Sequence, residues 1–390
     1  MNWGYRYTVL LLCTLAFAAT MVARLVISPV VPDIVDTFQT SNGAIGLALT
    51  GMWAAYALTQ FPSGVLGDRF GERKVILAAL AGTTVFSLVL TLSTTYLLFL
   101  VGAVLLGAAT GLHYSVAVTF ITRQFDAVGR AIGVHVAGGP FAGLVTPIAA
   151  AAVAAQFGWR PALALGAAVA LPTFVVFALG IRTSEPQRPD QPMADRLTVG
   201  PIVELLSRPE IGYTVVLAVL GAFTWQAVAS FLPAFLEQGR GFSTTTAGLL
   251  FSAYFVVHGA TQPVMGQLSD YYSRDIVVAG AMGLGVVGFG TLVVGEGLAT
   301  AVPSVVCIGV AMSWGAPLQS RFIDVLSDAE RGAGFGLVRT VYMTLGALGS
   351  VVTGSTADLF GWMAAFALLA VIMGVGVLAI AANLLLHLGY

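Results

Sequence analysis

Gly64-Val65-Leu66-Gly67-Asp68-Arg69-Phe70-Gly71-Glu72-Arg73-Lys74 lies between two long apolar runs, and a weaker copy, Gly266-Gln267-Leu268-Ser269-Asp270-Tyr271-Tyr272-Ser273-Arg274, returns 202 residues later. A charged turn costs free energy if it enters hydrocarbon, so both turns belong at a membrane surface, and the repeat puts them on the same side. The chain reads as a duplicated membrane protein.

Composition agrees with that reading. Of 390 residues 58% are hydrophobic and 9% charged, with a mean hydropathy of +0.92, against about 25% charged in globular domains. The bilayer is therefore the main solvent and the first partner. A net charge of −1, with basic residues scattered through short turns, argues against a nucleic-acid partner. Cys13 and Cys307 sit inside apolar runs and read as small buried hydrophobes, not as a disulfide or a metal pair. No metal or cofactor is expected. Arg6 followed by Thr8 to Ala23 imitates a signal peptide, but the apolar run continues past Arg24 to Val31, long enough to span a bilayer uncleaved.

Twelve apolar runs are predicted to cross the membrane: 7–31, 43–66, 74–93, 96–120, 131–155, 160–181, 211–235, 245–267, 276–295, 300–322, 333–356 and 361–387. Residues 182–210 form the one long polar stretch, with Pro186, Pro189, Pro192, Pro201 and Pro209, and read as a linker. The organisation expected is a six-helix bundle over 1–181, the linker, and a second six-helix bundle over 211–390. With the N-terminus in the cytoplasm, Arg6, Arg69, Arg73, Lys74, Arg123, Arg130, Arg182, Arg188, Arg196, Arg208, Arg274, Arg321 and Arg331 fall inside, while Arg160 and Arg240 fall outside. That bias predicts cytoplasmic termini, linker and charged turns. At the offset of 202, Thr59-Gln60 matches Thr261-Gln262, Ser28 matches Ser230 and Asp68 matches Asp270, while Gly158-Trp159 matches Gly361-Trp362 at 203. A parallel six-helix repeat is the economical explanation.

Two parallel six-helix halves with this turn after the second and eighth spans resemble the major facilitator superfamily of secondary transporters. Its signature reads G-x-L-(small)-D-R-x-G-R-(R/K), matched here by Gly64, Leu66, Gly67, Asp68, Arg69, Gly71 and Arg73, with Glu72 where a basic residue is usual. The resemblance covers nearly the whole chain. It implies an all-α integral membrane fold in two pseudo-symmetric bundles, multi-pass in the plasma membrane, a monomeric functional unit and alternating access. It also implies a cytoplasmic gate at Asp68, Arg69 and Arg73, with Asp270 and Arg274 as a second latch. Physically, Gly64 and Gly67 are expected to let backbones approach closely, and Asp68 to meet a helix N-terminus or an Arg in one conformation and release it in another. The plainer alternative is that these residues only stabilise turns and topology. The fifth span contains Gly139-Pro140-Phe141-Ala142-Gly143, a partial match to the drug-exporter signature. In the fourth span Ala103, Leu106 and Gly107 keep only the Gly of the exporter pattern.

The third, sixth, ninth and twelfth spans lack ionisable residues in their middles, and the others carry nearly all the polar ones, as a central aqueous path requires. Arg24 is the strongest solute candidate, since a guanidinium offers a bidentate fork to carboxylate, phosphate or nitrate. It is expected in the outer third of a straight helix, from which it could also snorkel to the surface. Its repeat mate is Gln226, beside Trp225. A twin-Arg cradle for a dianion is thus absent, and a singly charged anion fits better. Tyr56 and His258 are repeat mates in mid-span, with Tyr254 one turn before His258; His258 is the first candidate for proton coupling. Trp314 and Arg339 complete the candidate solute residues, Tyr342 is a weaker wall candidate, and His113 and His135 read more as packing than as function.

All eighteen acids fall in loops or at helix ends, leaving a cationic or neutral inventory that favours an anionic solute. The function expected is transport of a small organic or inorganic anion, with a coupling proton or ion open. Drug efflux is the alternative, and a non-transporting membrane sensor a remote one. An enzyme is not expected, because G-x-x-x-x-G-K-[ST], G-x-S-x-G and H-E-x-x-H elements are all missing.

Overall fold

A computed structural model describes residues 4–190, 200–327 and 333–390. Pro192, Arg196 and Arg331, used above for the linker and the orientation, lie outside them. All regular structure among the described residues is helical, as a chain in hydrocarbon requires if its backbone groups are to be satisfied internally. Two compact units form: Met1–Phe38 with Gly51–Thr198, and Gln39–Thr50 with Val199–Tyr390.

The first predicted span is not one straight helix. It runs as α1 (Tyr5–Leu25), a 3₁₀ turn at Ser28–Val30 and α2 (Val31–Phe38), because Pro29 and Pro32 supply no backbone donor and interrupt the α-helical ladder. The unbroken helices that follow are α3 (Asn42–Phe70) and α4 (Glu72–Thr91). The fourth span divides into α5 (Tyr96–Gly111) and α6 (Tyr114–Thr122), and the fifth into α7 (Val128–Val136) and α8 (Gly138–Phe157), before α9 (Trp159–Gly180).

After α10 (Gly200–Ser207), the second unit repeats the plan. α11 (Pro209–Ala234), α12 (Thr244–Tyr271) and α13 (Arg274–Val294) are continuous. The tenth span divides into α14 (Gly297–Ala311) and α15 (Gly315–Val325), and the eleventh into α16 (Ala333–Gly346) and α17 (Leu348–Phe360), before α18 (Trp362–Leu385). The fourth and fifth spans of each half are therefore both divided, the fourth at corresponding positions and the fifth at Ala137 and Ala347, 210 residues apart. Eleven described helical stretches are long and apolar enough to cross a bilayer. The remaining expected span, α12, has the length at 28 residues but dilutes its apolar content with Thr244, His258, Gln262 and Ser269.

Duplication extends to packing. In the first unit α3 meets α5 so closely that a Cβ on Gly107 would overlap the Met52 carbonyl, and in the second α12 meets α14 with Gly309 against Val257 and the Tyr254 carbonyl. Both residues of the Gly107–Met52 contact shift by 202 to give the Gly309–Tyr254 contact. Small residues at such crossings allow backbone approach where no water drives helices together. The core of the first unit gathers Val9, Cys13, Ile76, Leu80, Phe120 and Phe177 from α1, α4, α6 and α9. In the second unit the start of α3 is tied to α17: Asn42 N and Gly43 N donate to Asp358 at 3.0 and 2.7 Å, and Thr50 Oγ1 donates to the Ala347 carbonyl at 2.8 Å.

Candidate functional site

Arg24 occupies the last turn of α1, just before the proline-induced break, and is only 2% exposed. It does not snorkel to the surface. Its Nε donates to the Thr20 carbonyl at 3.1 Å and one terminal nitrogen lies 3.0 Å from Met21 Sδ. The guanidinium carbon sits 3.9 Å from the Tyr56 ring centroid and 5.1 Å from that of Trp53. Trp53 and Tyr56 pack edge to face at 6.1 Å. Their spacing of three places both on one face of α3, which is the signal that could have found Trp53 from sequence. No carboxylate pairs with Arg24 among the described residues. The aromatic faces offer partial compensation through the ring quadrupole, leaving the cation's charge available to an anion.

In the second unit Tyr254 and His258 stack on α12 with centroids 6.0 Å apart and planes 5° from parallel. His258 Nε2 lies 3.4 Å from Gln262 Nε2, while His258 Nδ1 and the buried Tyr254 hydroxyl find no hydrogen-bond partner among the described residues. Gln226 is buried and its Nε2 donates to the Met343 carbonyl at 3.0 Å, tying α11 to α16. Its donor is thus committed to the scaffold, although Oε1 remains unbonded. Trp314 and Tyr342 meet edge to face at 6.4 Å, and Tyr342 stacks on Phe322. Trp225 on α11 and Arg339 on α16 are partly exposed. The structure thus brings Arg24 to Tyr56 within the first unit, and Tyr254 to His258 within the second.

At the turn after α3, Arg123 lies 3.8 Å from Asp68 and bonds Glu72. Glu72, the departure from the signature, is 3% exposed, and in this structure it is the closer partner of that Arg. Arg73 is held by the end of α9, donating to the carbonyls of Ile181 at 2.8 Å and Ala178 at 2.7 Å. The Asp68 carbonyl accepts from Gln187 N and Arg188 N. Gly71 adopts φ 87° with the Ser184 carbonyl oxygen 2.5 Å from where a Cβ would stand, so this corner requires glycine. A cavity of about 300 Å³ opens beside the turn, lined in part by Glu72, Arg123, Arg182 and Ser184; it does not include Arg24 or Tyr56. Arg69 lies over the Phe70 ring.

Gly64 corrects the sequence expectation, because among the described residues no atom of another segment approaches the place its Cβ would occupy. Gly67 does serve close packing, against Val116 at 3.2 Å. In the second copy Arg274 bonds Asp270, reaches Asp324 at 3.1 Å and donates to Ser269 Oγ at 3.0 Å.

The family model described as Major Facilitator Superfamily matches residues 12–250 and 214–387. A hexuronate transporter of Bacillus subtilis (strain 168) is 23% identical over 401 residues, covering 93% of each chain. A probable nitrate/nitrite transporter of Mycobacterium tuberculosis is 26% identical over 268 residues, 65% of each. Among solved structures, a nucleoside transporter superposes with a TM-score of 0.79 at 14% identity, covering 98% of this chain and 99% of its own. A bacterial homologue of the human lysosomal transporter Spinster, inward-facing and occupied, gives 0.83 at 17%, covering 98% and 97%. With the family match over nearly the whole chain, the repeated charged turns and the duplicated helical plan, the chain belongs to the Major Facilitator Superfamily.

Proposed function

We propose that this protein is a secondary transporter for a small, singly charged anion, with Arg24 as the residue that holds the anion's charge. The observation carrying this reading is the burial of Arg24 against Tyr56 and Trp53 without a carboxylate partner among the described residues. A buried cation is expensive unless paired, and a bound anion supplies the missing partner. Relatives named for hexuronate and nitrate support this choice of solute class. An apolar drug would leave the guanidinium uncompensated.

Tyr56, Tyr254, His258, Trp314, Trp225 and Arg339 are the further solute-facing candidates. His258 is the titratable member of the second unit, and Gln226 serves chiefly as a helix tie. Asp68, Glu72 and Arg123 form the proposed latch of one half, and Asp270, Arg274 and Asp324 that of the other. The two six-helix halves exchange inward and outward states as solute shifts their populations, each latch holding the charged turn of its own half in shape. The excess of Arg at the latch turns supports cytoplasmic termini, and the carrier is proposed to work as a monomer in the plasma membrane.

Uptake of glucuronate and nitrate into proteoliposomes tests the assignment. Arg24→Gln is expected to abolish uptake of the transported anion while the protein still inserts, and Arg24→Lys to retain a small part of it, because an ammonium keeps the charge but not the fork. Undiminished uptake by Arg24→Gln would sink the role of Arg24.

A further inference from the structure

The first unit contains a pair of imidazoles that the solute reading does not use. His113 sits at the break between α5 and α6, and His135 in the last turn of α7. Both are completely buried, with ring centroids 5.6 Å apart. Phe17 of α1 lies 6.2 Å from His113 and 5.2 Å from His135, and Tyr114 lies 6.0 Å from His135. Among the described residues none of the four imidazole nitrogens finds a well-aligned hydrogen-bond partner, although the Cys13 carbonyl faces His113.

Packing alone does not account for this choice of residues. A buried polar group without a partner costs free energy comparable with a lost hydrogen bond, and an apolar side chain would avoid that cost. The repeat supplies the comparison: shifting by 202 replaces His113 with Gly315 and His135 with Leu337. The second unit divides its fourth and fifth spans without either imidazole, and Leu337 lies in mid-helix, ten residues before the break at Ala347.

A neutral imidazole carries one donor and one acceptor nitrogen, and an imidazolium two donors. One of two neighbouring rings can therefore take an excess proton while the other stays neutral; no nitrogen of one ring lies within hydrogen-bonding reach of the other here, so sharing the proton requires a ring rotation. A second proton would set two like charges side by side in a sealed site. On the helices packed around the pair, α1 contributes Cys13 and Arg24, and α6 contributes Tyr114. α8 contributes no titratable group. Glu72, Arg73 and Lys74 lie in the first turn of α4, and Arg130 lies more than one turn before His135. Arg24 stands seven residues beyond Phe17, about 10 Å along the helix, and its charge acts on His113. A positive charge on either residue opposes one on the other. An anion seated on Arg24 relieves that opposition, and by reciprocity a proton on the pair favours the anion.

We propose that His113 and His135 together bind one proton, taken up from water with the anion at Arg24 and returned to water when the anion leaves, so that the carrier is an anion–proton symporter. The coupling rests on the anion assignment of Arg24; the proton site itself does not.

Proton counting on purified full-length protein in unbuffered detergent tests both parts. Without ligand, titration between about pH 7 and pH 4, where perturbed histidines fall, is expected to show wild type binding one proton more than the His113→Asn/His135→Asn variant. Equal counts would overturn the shared site; His113→Gln/His135→Gln repeats the comparison should the Asn variant lose its size-exclusion profile. Glucuronate or nitrate is then added at constant pH. Proton uptake by wild type and its loss in the double variant is the expected result. Uptake retained by the double variant, or abolished only in His258→Gln, overturns the coupling. If wild type transports neither anion, the anion assignment fails by itself, while the ligand-free count still decides the proton site.

Discussion

Removing one partner of the buried Arg321–Asp275 pair gives a stability change that can be worked from the structure. Asp275 opens α13 and Arg321 lies on α15, with side chains only 10% and 11% exposed. Arg321 Nε also donates to Thr214 Oγ1 of α11 at 3.0 Å, and its guanidinium lies 5.2 Å from the Tyr213 ring centroid. Asn383 of α18 approaches the second Asp275 oxygen at 3.5 Å. Four helices of the second unit thus meet at one ion pair. Asp275→Leu leaves a buried guanidinium with only a hydroxyl and a ring, a loss of about 3–5 kcal/mol for a broken buried pair. At about 2–4 °C per kcal/mol for a unit of this size, the thermal midpoint of the detergent-purified protein should fall by about 6–20 °C. Arg321→Met should fall similarly, because it strands the carboxylate. The double variant Asp275→Leu/Arg321→Met should recover to within about 1 kcal/mol of wild type, since apolar replacement of both charges removes the desolvation cost with the attraction. Fluorescence-detected size exclusion after heating measures all four proteins. A double variant as unstable as either single one would refute the assignment of the loss to a stranded charge.

Two other substitutions follow from the backbone. Gly71→Ala should destabilise by about 2–4 kcal/mol, combining a positive φ that L-residues avoid with collision against Ser184. Gly158 has the same φ of 87° and open space around it, so Gly158→Ala should cost only the conformational part, about 1–2 kcal/mol; equal losses in thermal unfolding would remove the collision from the account. Gly111 and Ser313 are repeat mates, but a Cβ on Gly111 would overlap Thr59 Oγ1 and the Tyr56 carbonyl, whereas Ser313 Oγ bonds Thr261 Oγ1 and the His258 carbonyl. Gly111→Ser should therefore cost about 2 kcal/mol or more through overpacking, and Ser313→Gly about 1 kcal/mol through lost hydrogen bonds, as read by the same heating assay.

The membrane class, the repeat and the charged turns were legible because each leaves a local mark: a length of apolar chain, a fixed offset, a cluster of charge against hydrocarbon. The helix breaks were less so. Pro29 and Pro32 announce the break after α1 and Gly138-Gly139-Pro140 the break at Ala137, but the break at Leu112 has only Gly111 beside it and is not separated by local composition from continuous helix. Arg24 was legible as an exception to the apolar pattern, and its pairing with Tyr56 was not, because contact between α1 and α3 depends on how the helices rotate about their axes. Gln226 shows the same limit. Its polarity marked it as a solute ligand, whereas the Met343 carbonyl, 117 residues away, takes its donor. Glu72 looked like a defect in a basic signature, and only the approach of Arg123 from the end of the fourth span gives it a partner.

Setting the two units side by side separates what duplication retained from what it altered. The contacts that shift intact by 202 are those of backbone against small residue, Gly107 on Met52 and Gly309 on Tyr254, where the crossing tolerates little change. The positions that differ are chemical: Arg24 against Gln226, Tyr56 against His258, His113 and His135 against Gly315 and Leu337. Gln226 cannot act as a second cation, and its donor is already used within its own unit. The positive charge that would meet a solute at this repeat position therefore comes from one unit only. A dianion would carry a charge that this pair of positions leaves unmatched, at the cost of burying it. On the proposed role of Arg24 a monoanion brings the one charge it lacks, and the inequality of the repeat would then select it over a dianion.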